Sequence, residues 1–369
     1  MARRSRSFSS LEPWWRLDSE NEGIAPQGPK QVELVEEEIK EPRENQVLIR
    51  IDNFTLCGSD LRIYEGTYSG PMKYPIFVGH EWAGKIEAIG RGVKNLKPGD
   101  HVTGDCSLWC GTCSYCLEDK NLCEKIEKVG MTRDGASRQF FLQEAKYVYP
   151  AAQLDLQVLS LTEPLSVVCH AASTGERMMG TLSGRRILIL GGGNMGIALL
   201  MVLQKIYGCF SVDLYDPIPF RMQKALELGA KRPSNIAFVT REECGISGNN
   251  YRDFYSPEAY DLIFESTGSK QVFANALEIV RPLGGIVAIG FVSPAEVNLR
   301  LITLKAIRIS GTIGGTGEFP RVLKSMEKDP DYFRKLITHR FHYLDYEKAF
   351  EAALQKEKSL KVQIYFEEE

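Results

Sequence analysis

A thiol, an imidazole and a carboxylate fall within one short stretch, which opens as Cys57-Gly58-Ser59-Asp60 and closes as Gly79-His80-Glu81. Short apolar runs, Val47-Leu48-Ile49 and Pro75-Ile76-Phe77-Val78, lead into the two ends. Sulfur, ring nitrogen and carboxylate oxygen are donors that zinc accepts, and three protein ligands with an open fourth position describe a catalytic zinc. For an isolated Cys and His, simple burial is the plainer reading; here the rest of the chain tips the balance. Glu163 is a further candidate. It precedes Pro164 at the start of an apolar, helix-like run through Val167, Val168 and Ala171. A carboxylate there suits a helix N-terminus, or it serves as a third or fourth metal ligand; spacing leaves both roles open.

A denser cluster follows. Cys110, Cys113, Cys116 and Cys123 are spaced C-x2-C-x2-C-x6-C, with Gly111 easing the turn. Four thiolates this close can converge on one tetrahedral ion, a structural zinc; the plainer alternative is a set of free or redox-active thiols. Cys106 is left over, as a spare or an alternative ligand. A zinc-ribbon nucleic-acid module is disfavoured, since no basic or aromatic surface accompanies the cluster.

The third constellation binds a nucleotide. The continuous apolar run Ile187 to Leu190 reads as a buried parallel strand and feeds Gly191-Gly192-Gly193-Asn194-Met195-Gly196 and then an apolar helix. A second strand, Val212 to Tyr215, ends at Asp216. A G-x-G-x-x-G alone is weak; between a strand and a helix, with an acid about 20–25 positions on, it is a dinucleotide fingerprint. Backbone around Gly191, Gly193, Asn194, Met195 and Gly196 meets the pyrophosphate at the helix N-terminus. Asp216 accepts from ribose hydroxyls and repels a 2′-phosphate, favouring NAD over NADP, while Arg221 blunts that discrimination. Later strands end near Thr267 and Gly290, where a doubly wound sheet receives its ligand.

The elements that must hold these groups are legible in outline. Residues 31–51 and 84–102 alternate like short strands broken by Pro42 and by Pro98-Gly99, so the first metal candidates sit on loops of a β-rich unit. From Arg186 onward strands and helices alternate. His339 and His342 read as loop or packing residues, and His101 and His170 as packing. The 369 residues suffice for two cores. With 43% hydrophobic and 25% charged residues and a net charge of −3, disorder and nucleic-acid partners are not indicated. No apolar run approaches the roughly 20 residues of a membrane span. Residues 1–22 read as a mostly disordered tail, with Trp14-Trp15 as a docking element. The basic start lacks a sustained apolar segment, so the expected compartment is the reducing cytoplasm, where nine cysteines favour metal binding or burial over disulfides.

Together, Cys57-Gly58-Ser59-Asp60, Gly79-His80-Glu81, the four-cysteine lobe, Glu163-Pro164-Leu165 and Gly191 to Gly196 make the chain resemble the zinc-dependent medium-chain dehydrogenase/reductase family over roughly residues 30–366. The resemblance implies an α/β fold: a GroES-like β-rich catalytic domain over 23–165, an inserted doubly wound Rossmann domain over 166–308, and a segment 309–369 returning to the first. It implies Cys57 and His80 as catalytic zinc ligands, Glu81 as ligand or close neighbour, and Glu163 where classical alcohol dehydrogenases have a cysteine. That carboxylate is shared with the polyol and threonine dehydrogenase branch. The implied enzyme oxidises a secondary alcohol to a ketone with two zincs and NAD, as a homodimer or homotetramer, with Ser59 opening a proton relay and a polyhydroxy alcohol as substrate. Amino-substrate oxidation (2-deoxy-scyllo-inosamine or L-threonine type) and zinc-free reduction are the competing expectations. Two departures stand out: six residues rather than seven separate Cys116 from Cys123, and Arg62 replaces the histidine that usually ends the relay.

Overall fold

The computed structural model describes residues 20–151, 154–240, 255–291 and 294–367. Its first half is built from β1 (Glu20–Gly28), β2 (Gln31–Glu38), β3 (Gln46–Thr55), α1 (Gly58–Glu65), β4 (Glu81–Ile89), β5 (His101–Gly104), β6 (Ser107–Leu108), α2 (Ser114–Glu118), β7 (Glu127–Lys128), β8 (Phe140–Glu144) and β9 (Val148–Pro150). The helices α3 (Leu156–Leu159) and α4 (Thr162–Met179) lead out of it. The central strand β3 carries Val47, Leu48, Ile49, Ile51 and Phe54, all buried, and pairs antiparallel with β4 on one edge. Strand β1 claims Glu20–Glu22, so the tail expected over 1–22 is three residues too long; residues 1–19, with Trp14 and Trp15, lie outside the described residues.

The chain comes back to this sheet at its end. Strand β16 (Lys361–Tyr365) pairs antiparallel with β3, and β15 (Ile337–His342) pairs parallel with β16, giving the path β15-β16-β3-β4-β5-β9 with β8 also on β3. His339 and His342 therefore lie on an edge strand rather than a loop. The register matters for chemistry: Thr55 is opposite Glu81 on one side and Gln363 on the other. Because side chains alternate along a strand, Lys361 shares a face with Gln363, and this brings the two ends of the chain onto one buried spot. Trp82, fully buried, anchors the core with an edge-on contact to Phe141 at 5.7 Å between ring centroids.

The second half is a five-stranded parallel sheet. Strands β10 (Ile187–Leu190), β11 (Val212–Tyr215), β12 (Tyr260–Glu265), β13 (Val280–Ala288) and β14 (Arg308–Gly311) lie in the order β11-β10-β12-β13-β14. All four residues of β10 are buried, as a strand covered by helices on both faces requires. Helix α5 (Asn194–Lys205) has an almost wholly buried apolar body and packs against α4. The chain leaves β10 to one side for β11 and returns to the other side for β12, which opens a crevice at their C-terminal ends. Strand β14 belongs to this sheet and extends it to Gly311, past the boundary expected at 308. At the other border the two halves share helix α4, whose first turn faces the metal-ligand candidates while its body packs on α5 and β13.

Candidate active site

Cys57 is the N-cap of α1, in extended conformation, and its backbone N–H donates to Asp60 Oδ2 at 2.8 Å. That reciprocal cap pins the thiol at the helix entrance. The other oxygen of the fully buried Asp60 accepts from Gly79 N–H at 3.4 Å and faces His80 Nδ1 at 3.4 Å. Asp60 thus ties the two ends of the Cys57–Glu81 stretch together and turns one ring nitrogen of His80 toward a carboxylate, leaving the other for a metal. The donor atoms of Cys57, His80 and Glu81 all lie within 4.8 Å of one another. Burial pulls the His80 imidazole down, but Asp60 and Cys57 outweigh it and raise it well above the usual histidine value. His80 Nδ1 is buried without a well-formed hydrogen bond. A sulfur, a nitrogen and a carboxylate converging on one buried point fit a zinc ion.

The two carboxylates differ in what already holds them. Glu81 opens β4 and is buried; Lys361 Nζ donates to both of its oxygens at 2.5 Å, and Thr55 Oγ1 donates to Oε2. Burial pulls the Lys361 ammonium down, and Glu81 with its neighbours more than restores it, raising it above the ordinary lysine value. Glu163, in the first turn of α4, is equally buried but has no lysine or arginine in contact among the described residues. Burial is the main cause that raises its pKa; His80 opposes it, Glu81 adds to it as a like charge, and Cys106 and Lys361 oppose it further. Its Oε1 accepts from the Cys106 thiol at 3.2 Å. Cys106 therefore belongs beside Glu163, not to the four-cysteine cluster. Ser59, half-buried, lies in the first turn of α1 two residues after Cys57, while Arg62 one turn on is exposed.

The four-cysteine lobe is closed. Its sulfurs lie within 4.8 Å of one another, with Cys110–Cys116 at 3.9 Å and Cys113–Cys123 at 4.0 Å. Four thiolates about 2.3 Å from zinc would sit roughly 3.8 Å apart, so the group fits a tetrahedral ion. The short spacing is taken up by α2 and one 3-10 turn, Lys120–Leu122, which Asp119 caps by accepting from Asn121 N–H at 2.8 Å. Backbone N–H donors reach Cys110 from Thr112 and Cys123 from Cys110 and Lys125. Those from Thr112 bring Cys110 down to about 5, whereas burial pushes Cys116 up to about 12.

At the crevice of the parallel sheet the three motif glycines have separate duties. Gly191 turns with φ +101°. A Cβ on Gly196 would stand 1.8 Å from Gly191 O, so only hydrogen lets α5 start this close to β10. Gly193 has only the end of the Arg221 side chain nearby, leaving its surface open to a ligand. Asn194 and Met195 open α5, half-buried. Asp216 Oδ2 accepts from Gly192 N–H at 2.7 Å and faces Arg221 at 3.5 Å, and Arg221 Nε donates to Lys356 O at 3.0 Å. Across the crevice Thr267 and Gly290 close on each other through Glu265. Its carboxylate accepts from Thr267 N–H and Gly268 N–H, and its carbonyl from Ile289 and Gly290 N–H.

Asp60, Thr55, Lys361 and Glu265 are residues at these sites that reading the chain in order did not select, and Cys106, weighed as a spare or an alternative ligand, lies against Glu163 instead. Asp60 had a signal, an acid three residues after an N-cap. The others are joined only by pairing between distant strands and helices.

Set beside known proteins, residues 43–153 match the alcohol dehydrogenase GroES-like domain and residues 195–328 the zinc-binding dehydrogenase domain, together more than half the chain. L-threonine 3-dehydrogenase of Pyrococcus abyssi is 29% identical over 334 residues, 86% of this chain and 91% of that protein. Among solved structures, the alcohol dehydrogenase rspB of Escherichia coli CFT073 in complex with NADH superposes with a TM-score of 0.82 at 26% identity, covering 95% of this chain and all of that one. L-Idonate 5-dehydrogenase of Escherichia coli K-12 superposes with a TM-score of 0.79 at 25% identity, covering 94% and 99%.

Proposed function

The chain belongs to the medium-chain, zinc-type alcohol dehydrogenases, and from that premise we propose that it interconverts a polyhydroxylated secondary alcohol (a polyol, cyclitol or sugar-like compound) and its ketone, with NAD as the hydride acceptor. The observation that carries this is the placing of Cys57, His80 and Glu81 at one buried point, with the buried Glu163 in the first turn of α4, the helix whose body packs on α5 and β13 of the nucleotide half.

Cys57, His80 and Glu163 would hold the catalytic zinc. Glu81 lies nearer to the first two, yet both its oxygens are engaged by Lys361, so its charge is already balanced. Glu163 is the carboxylate still in need of a cation, and the raised pKa that burial gives it supports that assignment. Zinc there would supply Lewis acidity that lowers the pKa of a substrate hydroxyl. Ser59 takes up the released proton at its hydroxyl oxygen and passes it toward solvent; Arg62, permanently charged, cannot carry it further, so water completes the path. Bound NAD would supply the hydride acceptor for the carbinol carbon, so that alcohol and NAD+ would give ketone, NADH and one proton. Gly191, Gly193, Asn194, Met195 and Gly196 orient the pyrophosphate. Asp216 orients the ribose, and its charge favours NAD over NADP although Arg221 stands beside it.

The lobe of Cys110, Cys113, Cys116 and Cys123 would hold a second, structural zinc. The eight described cysteines are unpaired, which supports a reducing, cytoplasmic setting. A homodimer is supported by the free edge strand β14, where Ile309 is exposed with Leu283, Phe291 and Ile313 also exposed. No described helix is long and apolar enough to cross a membrane.

The test is zinc content per chain together with NAD+ and NADP+ reduction on polyols, cyclitols, aminocyclitols and L-threonine. The expected result is two zincs and NAD-linked turnover on a polyhydroxy class. Turnover confined to L-threonine or an aminocyclitol would replace the substrate assignment. Loss of the catalytic zinc in Glu81→Gln but not in Glu163→Gln would reverse the ligand assignment.

A further inference from the structure

Cys106 has a duty that neither metal group accounts for. It stands between β5 and β6, buried, and meets Glu163 across 57 residues of chain, its Sγ 3.2 Å from Oε1. Among the described residues it is the one side chain that donates a hydrogen bond to Glu163. The backbone around Cys106 is held on every side. Asp105 N–H donates to Tyr147 O at 2.8 Å, Asp105 Oδ2 accepts from Thr316 Oγ1 at 2.6 Å, and Asp105 Oδ1 accepts from Ser107 N–H at 2.9 Å. Cys106 O accepts from Val129 N–H at 3.0 Å, and Lys128 Nζ donates to Ser107 Oγ at 2.5 Å. A thiol on so fixed a backbone is aimed, not swinging.

We propose that Cys106 is a positioning residue: its S–H holds Glu163 by Oε1, presenting Oε2 to the metal together with Cys57 and His80. The inference rests on Glu163 being the third ligand. A ligating carboxylate oriented by a hydrogen bond on its second oxygen is a better-ordered donor than a free one, and losing such a partner costs about 10- to 100-fold in metal affinity. Cys106 is not itself a ligand on this reading. Its thiol is engaged with Glu163 Oε1 at 3.2 Å, and like Glu163 it stands beside the compact donor group of Cys57, His80 and Glu81.

The experiment uses full-length protein loaded with 113Cd, in which the catalytic and lobe sites give separate resonances, alongside the rate of zinc release to a chelator. Cys106→Ser keeps a donor and Cys106→Ala removes it. The expected result is catalytic-metal release faster by about 10- to 100-fold in Cys106→Ala and close to wild type in Cys106→Ser. The catalytic cadmium resonance should keep its one-thiolate position in both, and the lobe resonance should not move. A catalytic resonance displaced as for a lost thiolate in both variants would make Cys106 a ligand and overturn the proposal. Wild-type release in Cys106→Ala, with Glu163→Gln losing the metal, would overturn it while sparing the ligand assignment. If Glu163→Gln keeps the catalytic metal, the ligand assignment itself falls, and the proposal with it. If the lobe resonance shows that Cys106→Ala has not folded, Cys106→Val, donor-free and space-filling, takes its place.

Discussion

Lys361 and Glu81 stand 280 residues apart in sequence and share a site from which water is excluded. A buried ion pair of this kind contributes little net stability, but removing one member leaves a buried charge without its partner. Lys361→Met is therefore expected to destabilise the protein by about 3–5 kcal/mol, and Glu81→Gln added to it should restore most of the loss. Urea unfolding of the two single variants and the double variant measures this. A loss below about 1 kcal/mol in Lys361→Met would mean that Glu81 finds another partner. The same contacts separate the two carboxylates near His80: Glu81 is bonded by a lysine on both oxygens, while Glu163 has a thiol's hydrogen bond and feels His80 and Lys361 only at a distance. Sequence spacing treats Glu81, adjacent to His80, as the more natural ligand. The strand register that brings Lys361 onto it argues the reverse.

Among the elements, the junction of β10 and α5 shows how much depends on a single missing side chain. Gly196→Ala would place a carbon 1.8 Å from Gly191 O and 3.1 Å from Ser266 Oγ, so α5 must retreat from the strand that aims it. Overpacking of this kind costs about 1–3 kcal/mol. The larger consequence falls on the turn proposed to hold the cofactor's pyrophosphate. NADH affinity, followed by fluorescence titration, should drop while zinc content stays at the wild-type value; unchanged affinity would show that the turn can relax without α5. This junction was legible in advance because strand, turn and helix are contiguous, and their geometry is set within a few residues. The placing of β16 against β3 was not, since the two strands come from opposite ends of the chain.

At the level of the whole molecule, the lobe, the first sheet and the nucleotide half are tied by a few polar contacts. Asn121, inside the shortened cysteine loop, accepts from Thr316 N–H at 3.0 Å, while Thr316 also binds Asp105. His170 on α4 faces Asp119 of the same loop at 3.5 Å. Burial lowers the His170 pKa, and Asp119 only partly opposes it. Its folded value thus lies below the unfolded one, so between the two the unfolded chain binds more protons. Stability is complete above the unfolded value and is lost as pH falls toward the folded one. Comparing unfolding midpoints at about pH 7.5 and about pH 5.5, the wild type should lose more stability on acidification than His170→Gln. Equal losses would assign the acid sensitivity to other groups.

The ordered chemistry of the chain was determined by local sequence. Cys57 at a helix entrance, His80 after a buried run, four cysteines within one loop and a glycine turn between strand and helix each act through neighbours a few residues away, where backbone geometry leaves few choices. The division of labour among the acids and thiols was decided only by the tertiary structure. Whether Glu81 is paired with a lysine, what surrounds Glu163, and whether Cys106 lies with the lobe or with Glu163 depend on Lys361, α4 and the β5–β6 connection meeting in one buried place. The physical reason is that charge balance inside a protein is set by what lies within a few ångströms in space, and strand register and helix packing, not spacing along the chain, determine that.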